Sequence, residues 1–123
     1  MASRGKGART KGAQFERDMA NHLSEITDDS YEFKRGLGQT RSAATEGANV
    51  QCDRLDGVIH IECKRHKRSP IKPAMAQATN DCGTAVPIVI TKDDRQPALV
   101  TMYLEDWQNM FIAWLAQREL KES

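Results

Sequence analysis

No apolar run in this chain of 123 residues is long enough to cross a membrane, and its first residues lack the apolar stretch of a secretory signal. A membrane-embedded or exported protein is therefore not expected, and the cytoplasm is. Cysteine is scarce: Cys52, Cys63 and Cys82 form no C-x-x-C pair, and His22, His60 and His66 have no zinc-like spacing with them. That excludes a disulfide framework and a zinc finger, leaving free thiols in a reducing compartment. Net charge is also lacking, at +1. Affinity for nucleic acid must then come from local clusters of charge. Neither a repeat nor a second domain is visible, and the length suits one domain with a modest core.

The stretch Asn49-Val-Gln-Cys-Asp-Arg-Leu-Asp-Gly-Val-Ile-His-Ile-Glu-Cys-Lys64 reads as a β-hairpin. Asp56-Gly57 suits a two-residue type I′ turn, which needs φ > 0 at both central positions. Leu55 then faces Val58, and the ladder pairs Asp53 with His60, Gln51 with Glu62 and Asn49 with Lys64. Side chains alternate between the faces of a strand. One face carries Asn49, Gln51, Asp53, His60, Glu62 and Lys64. The other carries Val50, Cys52, Arg54, Ile59, Ile61 and Cys63 and suits a core. Glu62 and Lys64 point the same way. The carboxylate can hold a hard cation through oxygen, and the amine can steady a water or a phosphate. In isolation, an E-x-K tripeptide is better explained by a cross-strand ion pair on a solvated face.

Glu62-Cys63-Lys64 and its hairpin resemble the second half of the signature of PD-(D/E)XK nucleases, in the branch of Holliday junction resolvases and related phage endonucleases. Lys11-Gly12-Ala-Gln-Phe-Glu16-Arg17 resembles the first-helix pattern K-G-x-x-x-E-R of the same family. The resemblance covers roughly residues 11 to 103. It implies that Glu62, the Cys63 carbonyl and the residue at position 49 ligate Mg²⁺ (or Mn²⁺), with Glu16 supporting the metal from the helix. Lys64 would position the attacking water. At position 49 this chain departs from the family, carrying Asn49 where an acid is expected, and the Asn49 form is expected to cut slowly or not at all. Asp53 is the alternative acid.

In chain order, residues 1–12 hold Arg4, Lys6, Arg9 and Lys11 and no acid. They read as a flexible basic arm preceding a single domain over 13–123. Phe15, Met19, Leu23 and Ile26 recur at helical spacing and predict a helix from about Ala13 to Ile26. A short strand from Tyr31 to Lys34 or Arg35 leads into a small, polar, glycine-containing loop. In that loop Arg35, Gln39 and Arg41 can clamp a phosphate, and the Arg-Gly-x-Gly-Gln-x-Arg pattern resembles the corresponding loop of phage resolvase-like nucleases; a merely flexible surface loop is the other reading. Beyond the hairpin, Lys64, Arg65, Lys67, Arg68 and Lys72 form the densest basic cluster, placed to flank a phosphate at the E-x-K strand. A helix from near Pro73 to before Gly83 carries Gln77, which in relatives faces the site. Strands follow after Pro87 to Thr91 and from Ala98 to Tyr103. The last predicted helix, Glu105 to about Leu120, has an apolar face of Leu104, Trp107, Met110, Phe111, Trp114 and Leu115. Most of that face is expected in the core, with a homodimer interface as the other use for its aromatics.

The order α-β-β-β-α-β-β-α predicts an α/β fold with a mixed central sheet flanked by helices, and the resemblance to PD-(D/E)XK nucleases implies that it is restriction-endonuclease-like. Two functions stay open at this point, beside the bland reading of a small α/β interaction protein with an accidental E-x-K. One is a Mg²⁺-dependent endodeoxyribonuclease acting on duplex or branched DNA in recombination, within a bacterial or phage-infected cell. It would be structure-selective, as on a Holliday junction, or weakly sequence-specific. The other is a catalytically degenerate nuclease-fold protein that only binds DNA.

Overall fold

The strand that bears Glu62 is buried on both faces, and the rest of the molecule is laid around it. In the computed structural model the backbone is described for residues 2–36 and 50–122, and side chains from residue 10 onward within those ranges. Helix α1 (Ala2–Ile26) leads to β1 (Lys34–Arg35), β2 (Val50–Gln51) and β3 (Ile59–His66). Then come α2 (Ile71–Asp81), β4 (Val86–Asp93), β5 (Leu99–Thr101) and α3 (Leu104–Glu122). The sheet has five strands in the order β1-β2-β3-β4-β5. Only the β3–β4 pair is parallel, and α2 is its crossover. This is the mixed α/β sheet expected from the sequence.

Alternation along β3 sends Ile61 and Cys63 to one face, where they pack with Phe15 and Ala20 of α1, Val50 and Ile90. On the opposite face α2 packs Ala74, Met75 and Ala78 against Val89. Met19 and Leu23 join the α1 core as expected, whereas Ile26, at the end of the helix, is exposed. The helix starts at Ala2, so the backbone of the basic stretch read above as an arm is helical. Once Phe15 and Ala20 are docked, adding upstream turns requires no new nucleus.

Three details of the hairpin differ from expectation. Asp56 has φ −59 and ψ 131, and Gly57 has φ +78, with Val58 N–H donating to the Leu55 carbonyl at 2.9 Å. That is a type II turn, which needs φ > 0 only at its third residue, the glycine. A turn of 3-10 helix over Asp53–Leu55 precedes it and ends the ladder early. Val50, not Cys52, therefore stands opposite Ile61. This displacement is even, so each side chain that stays in the ladder keeps its expected face. Pro87 lies inside β4 rather than before it. It is tolerated because β5 pairs only as far as Val89, leaving no ladder bond for the missing N–H.

The largest departure is α3. None of its residues is buried, and Leu104, Trp107, Met110, Phe111, Ile112, Trp114, Leu115 and Leu120 are all exposed. Trp107, Phe111 and Trp114 stack on one another along the helix instead of entering the core. An apolar face signals that a helix is to be covered, but not by what. Here α1 and α2 already cover the two faces of the sheet. No helix among the described residues is long and apolar enough to cross a membrane.

Candidate active site

The even-numbered side chains of β3 build the site on the α2 face. Glu62 is fully buried. Its Oε2 lies 2.9 Å from Nε2 of His60, also buried, while Oε1 has no hydrogen-bond partner. Lys64 Nζ stands 4.0 Å from Oε1, near enough for charge but too far for a hydrogen bond. Instead that ammonium donates to Gln77 Oε1 on α2 at 3.0 Å. One turn further along α2, Asp81 meets the same face. The ligand atoms of His60, Glu62 and Asp81 all lie within 4.8 Å of one another. Asp81 Oδ2 is likewise buried and unpartnered. A buried ionised carboxylate with unfilled lone pairs costs several kcal/mol unless a cation or further donors complete it. Oxygen donors with one nitrogen fit a divalent cation.

Several expected residues come together, and others do not. Glu62, Lys64 and Gln77 converge on one face. Glu16 sits on the α1 side, where its Oε1 accepts from Arg35 Nε at 2.8 Å, and it is not a member of the His60–Glu62–Asp81 group. Arg35 is thereby engaged in an ion pair. Between the two sides, the Cys63 thiol is pushed up to about 12 by burial first, then by the charges of Glu16 and Glu62, against the opposing pull of Lys64. Asp53 is exposed and pairs with Lys34 at 3.4 Å. It was expected beside His60, but the early end of the ladder carries it away into the 3-10 turn. Asn49, Gln39 and Arg41 lie outside the described residues.

The basic cluster divides in two. Arg65 is tethered: its Nη1 lies 2.6 Å from Asp94 Oδ1 and donates to the Lys92 carbonyl at 3.1 Å. Lys11 of α1 reaches the same carboxylate at 3.0 Å. Asp94 therefore joins the basic head of α1 to the end of β3, and hydrogen bonds from Lys11 and Arg65 hold its carboxyl below the usual range. Lys67, Arg68 and Lys72 are exposed.

His60 and Asp81 were missed as site residues. For His60 the signal was present, since alternation put it on the Glu62 face. For Asp81 the only sequence hint is its position four residues after Gln77, on the same side of a helix.

Residues 7–121 match the family described as "phage putative PDDEXK endonuclease". No curated protein and no solved structure matches the chain. With nearly its whole length matched, the chain belongs to this PD-(D/E)XK family of phage nucleases.

Proposed function

We propose that this protein is a divalent-metal-dependent endodeoxyribonuclease in which Glu62 and Lys64 carry the chemistry. The observation behind the reading is a fully buried carboxylate, one oxygen unpartnered, with a lysine ammonium 4.0 Å away on the same strand face. Glu62, with the Cys63 carbonyl and Asn49 as further oxygen donors, would hold Mg²⁺ or Mn²⁺. When bound, such an ion draws charge off phosphate oxygens and makes water a stronger nucleophile. Gln77, a neutral acceptor, fixes the Lys64 ammonium without cancelling its charge, so that Lys64 can orient the attacking water against the scissile phosphate. Glu16 and Arg35 hold each other on the α1 side, and their part is to brace β1 where the chain runs on toward position 49.

DNA would lie across the joined basic surface: the head of α1, then Lys67, Arg68 and Lys72. Gln39 and Arg41 would extend the phosphate contacts. Such contacts position a backbone without reading bases. Selection of duplex or branched DNA by shape, as on a Holliday junction during recombination in a phage-infected cell, follows better from them than strict sequence recognition. The uncovered α3 supports a homodimer. Asn49 favours a second reading, a DNA-binding protein with a weakened site, because an amide holds Mg²⁺ less well than a carboxylate. Cleavage assays with Mg²⁺ or Mn²⁺ on linear, nicked, flapped and four-way DNA decide the matter. Cutting of any substrate supports the nuclease. Binding without cutting, in the Asn49→Asp protein as well, supports the second reading.

A further inference from the structure

Building on the metal-dependent reading of Glu62, we infer that His60 and Asp81 complete the cation site, making it a one-histidine, two-carboxylate centre that prefers Mn²⁺ to Mg²⁺. Neither residue belongs to the E-x-K motif. Both converge on Glu62 from different elements, His60 from β3 and Asp81 from the last turn of α2.

Four observations carry this. The three ligand atoms already lie within 4.8 Å of one another. Around a six-coordinate ion with bonds near 2.1 Å, neighbouring ligands are roughly 3 Å apart, so small side-chain rotations close the set. Glu62 Oε1 and Asp81 Oδ2 are buried and unpartnered, while His60 Nε2 and Glu62 Oε2, at 2.9 Å, stand at the spacing of neighbouring ligands. The carboxyl end of α2, where Asp81 sits, adds the negative end of the helix dipole. Finally, a cleft of about 680 Å³ reaches His60 and Asp81 from solvent. Among the described residues its lining includes Asp53, Asp56 and Asp81 and no lysine or arginine. A cation is drawn into such a cleft.

The nitrogen donor sets the preference. Mg²⁺ favours an all-oxygen shell and gives up its waters reluctantly. Imidazole suits the first-row transition ions, among which Mn²⁺ also accepts carboxylates and water.

The test is Mn²⁺ binding, followed by loss of the free-ion electron paramagnetic resonance signal. It is made on the full chain and on His60→Ala, Asp81→Asn and Glu62→Gln, with circular dichroism to show that each is folded. His60→Gln replaces His60→Ala if the latter does not fold. Mn²⁺ should bind at least tenfold more tightly than Mg²⁺ to the unaltered chain. Affinity should fall at least tenfold in each variant, and spin-echo modulation from a histidine nitrogen should vanish with His60. If Glu62→Gln loses Mn²⁺ while His60→Ala and Asp81→Asn retain it, the ion uses Glu62 without them. The inference then fails and the metal-dependent reading stands. If no form of the chain, Asn49→Asp included, binds either ion or cuts DNA, both fail.

Discussion

Lys64 and Gln77 are joined across the gap between β3 and α2 by a hydrogen bond of 3.0 Å from ammonium to amide oxygen. A neutral partner leaves the ammonium its full charge, and the bond fixes where that charge sits. In the Asn49→Asp protein, Lys64→Ala should lower cutting by about 10²-fold or more, the range for a positioned group acting in the transition state. DNA affinity should change less than threefold. Gln77→Ala should lower kcat and leave KM nearly unchanged, since it acts by holding Lys64. Single-turnover cleavage and filter binding measure both. Full activity in Lys64→Ala would remove Lys64 from the site.

Arg65 differs from its basic neighbours because it is held by Asp94 and two main-chain carbonyls. Replacing Lys67 and Arg68 with alanine should flatten the dependence of log Kd on log salt by about two phosphate contacts, with thermal stability unchanged. Arg65→Ala should instead lower the melting temperature, because it unties β3 from the turn after β4. Equal salt slopes in the double variant and the original would mean that the cluster is only a solvated face.

The Cys63 thiol, raised to about 12 chiefly by burial, is neutral in the fold at pH values where an unfolded thiol ionises. Between about pH 9 and 12 the unfolded chain has lost this proton and the folded chain has kept it. The contribution is therefore complete below pH 9 and lost as pH rises toward 12. Urea unfolding of the original chain should weaken over that window more steeply than that of Cys63→Ala. At pH 8 iodoacetamide should modify the half-buried Cys82 well before Cys63.

Much of this arrangement is written in local pattern. Alternation alone placed Glu62 and Lys64 together, with Ile61 and Cys63 turned toward a core, and that survived a wrong turn type because the register error was even. What local pattern could not carry was long-range contact. Asp81 reaches Glu62 only because α2 folds back over the sheet, and Asp94 joins Lys11 to Arg65 from a turn distant from both. The apolar stripe of α3 was legible as a stripe, but whether sheet or partner covers it is not encoded in its spacing.

That stripe yields the fourth prediction. Fully covered, side chains the size of Trp107, Phe111 and Trp114 bury on the order of 150–250 Å² each, and in α3 these residues are 47 %, 39 % and 56 % exposed. With the exposed leucines, Met110 and Ile112, they suffice for the roughly 800 Å² per partner of a stable interface. Light scattering should give a dimer for the original chain and a monomer for Phe111→Glu with Trp114→Glu. The variant should remain folded, because neither residue is in the core. A monomeric original would leave α3 for some other partner.

Asn49 and Asp53 compete for the place of the second acid. Asp53 is fixed in the 3-10 turn with its side chain 88 % exposed and 3.4 Å from Lys34, an ion pair of the weak surface kind. It does not join Glu62, His60 and Asp81. Position 49 immediately precedes Val50, whose strand pairs with the one that bears Glu62. A carboxylate at position 49 would add a charged oxygen donor where the amide offers only a neutral one, and hard cations discriminate strongly between these. Asn49→Asp should therefore tighten Mg²⁺ binding by about tenfold and raise cleavage by at least as much. Asp53→Ala should leave both within about twofold in that background, because exposed ion pairs contribute little. Titration calorimetry with Mg²⁺ and cleavage rates on the three proteins supply the comparison. Brisk cutting by the Asn49 protein that disappears in Asp53→Ala would assign the acid to Asp53 and would require the turn at Asp53–Leu55 to rearrange when DNA binds.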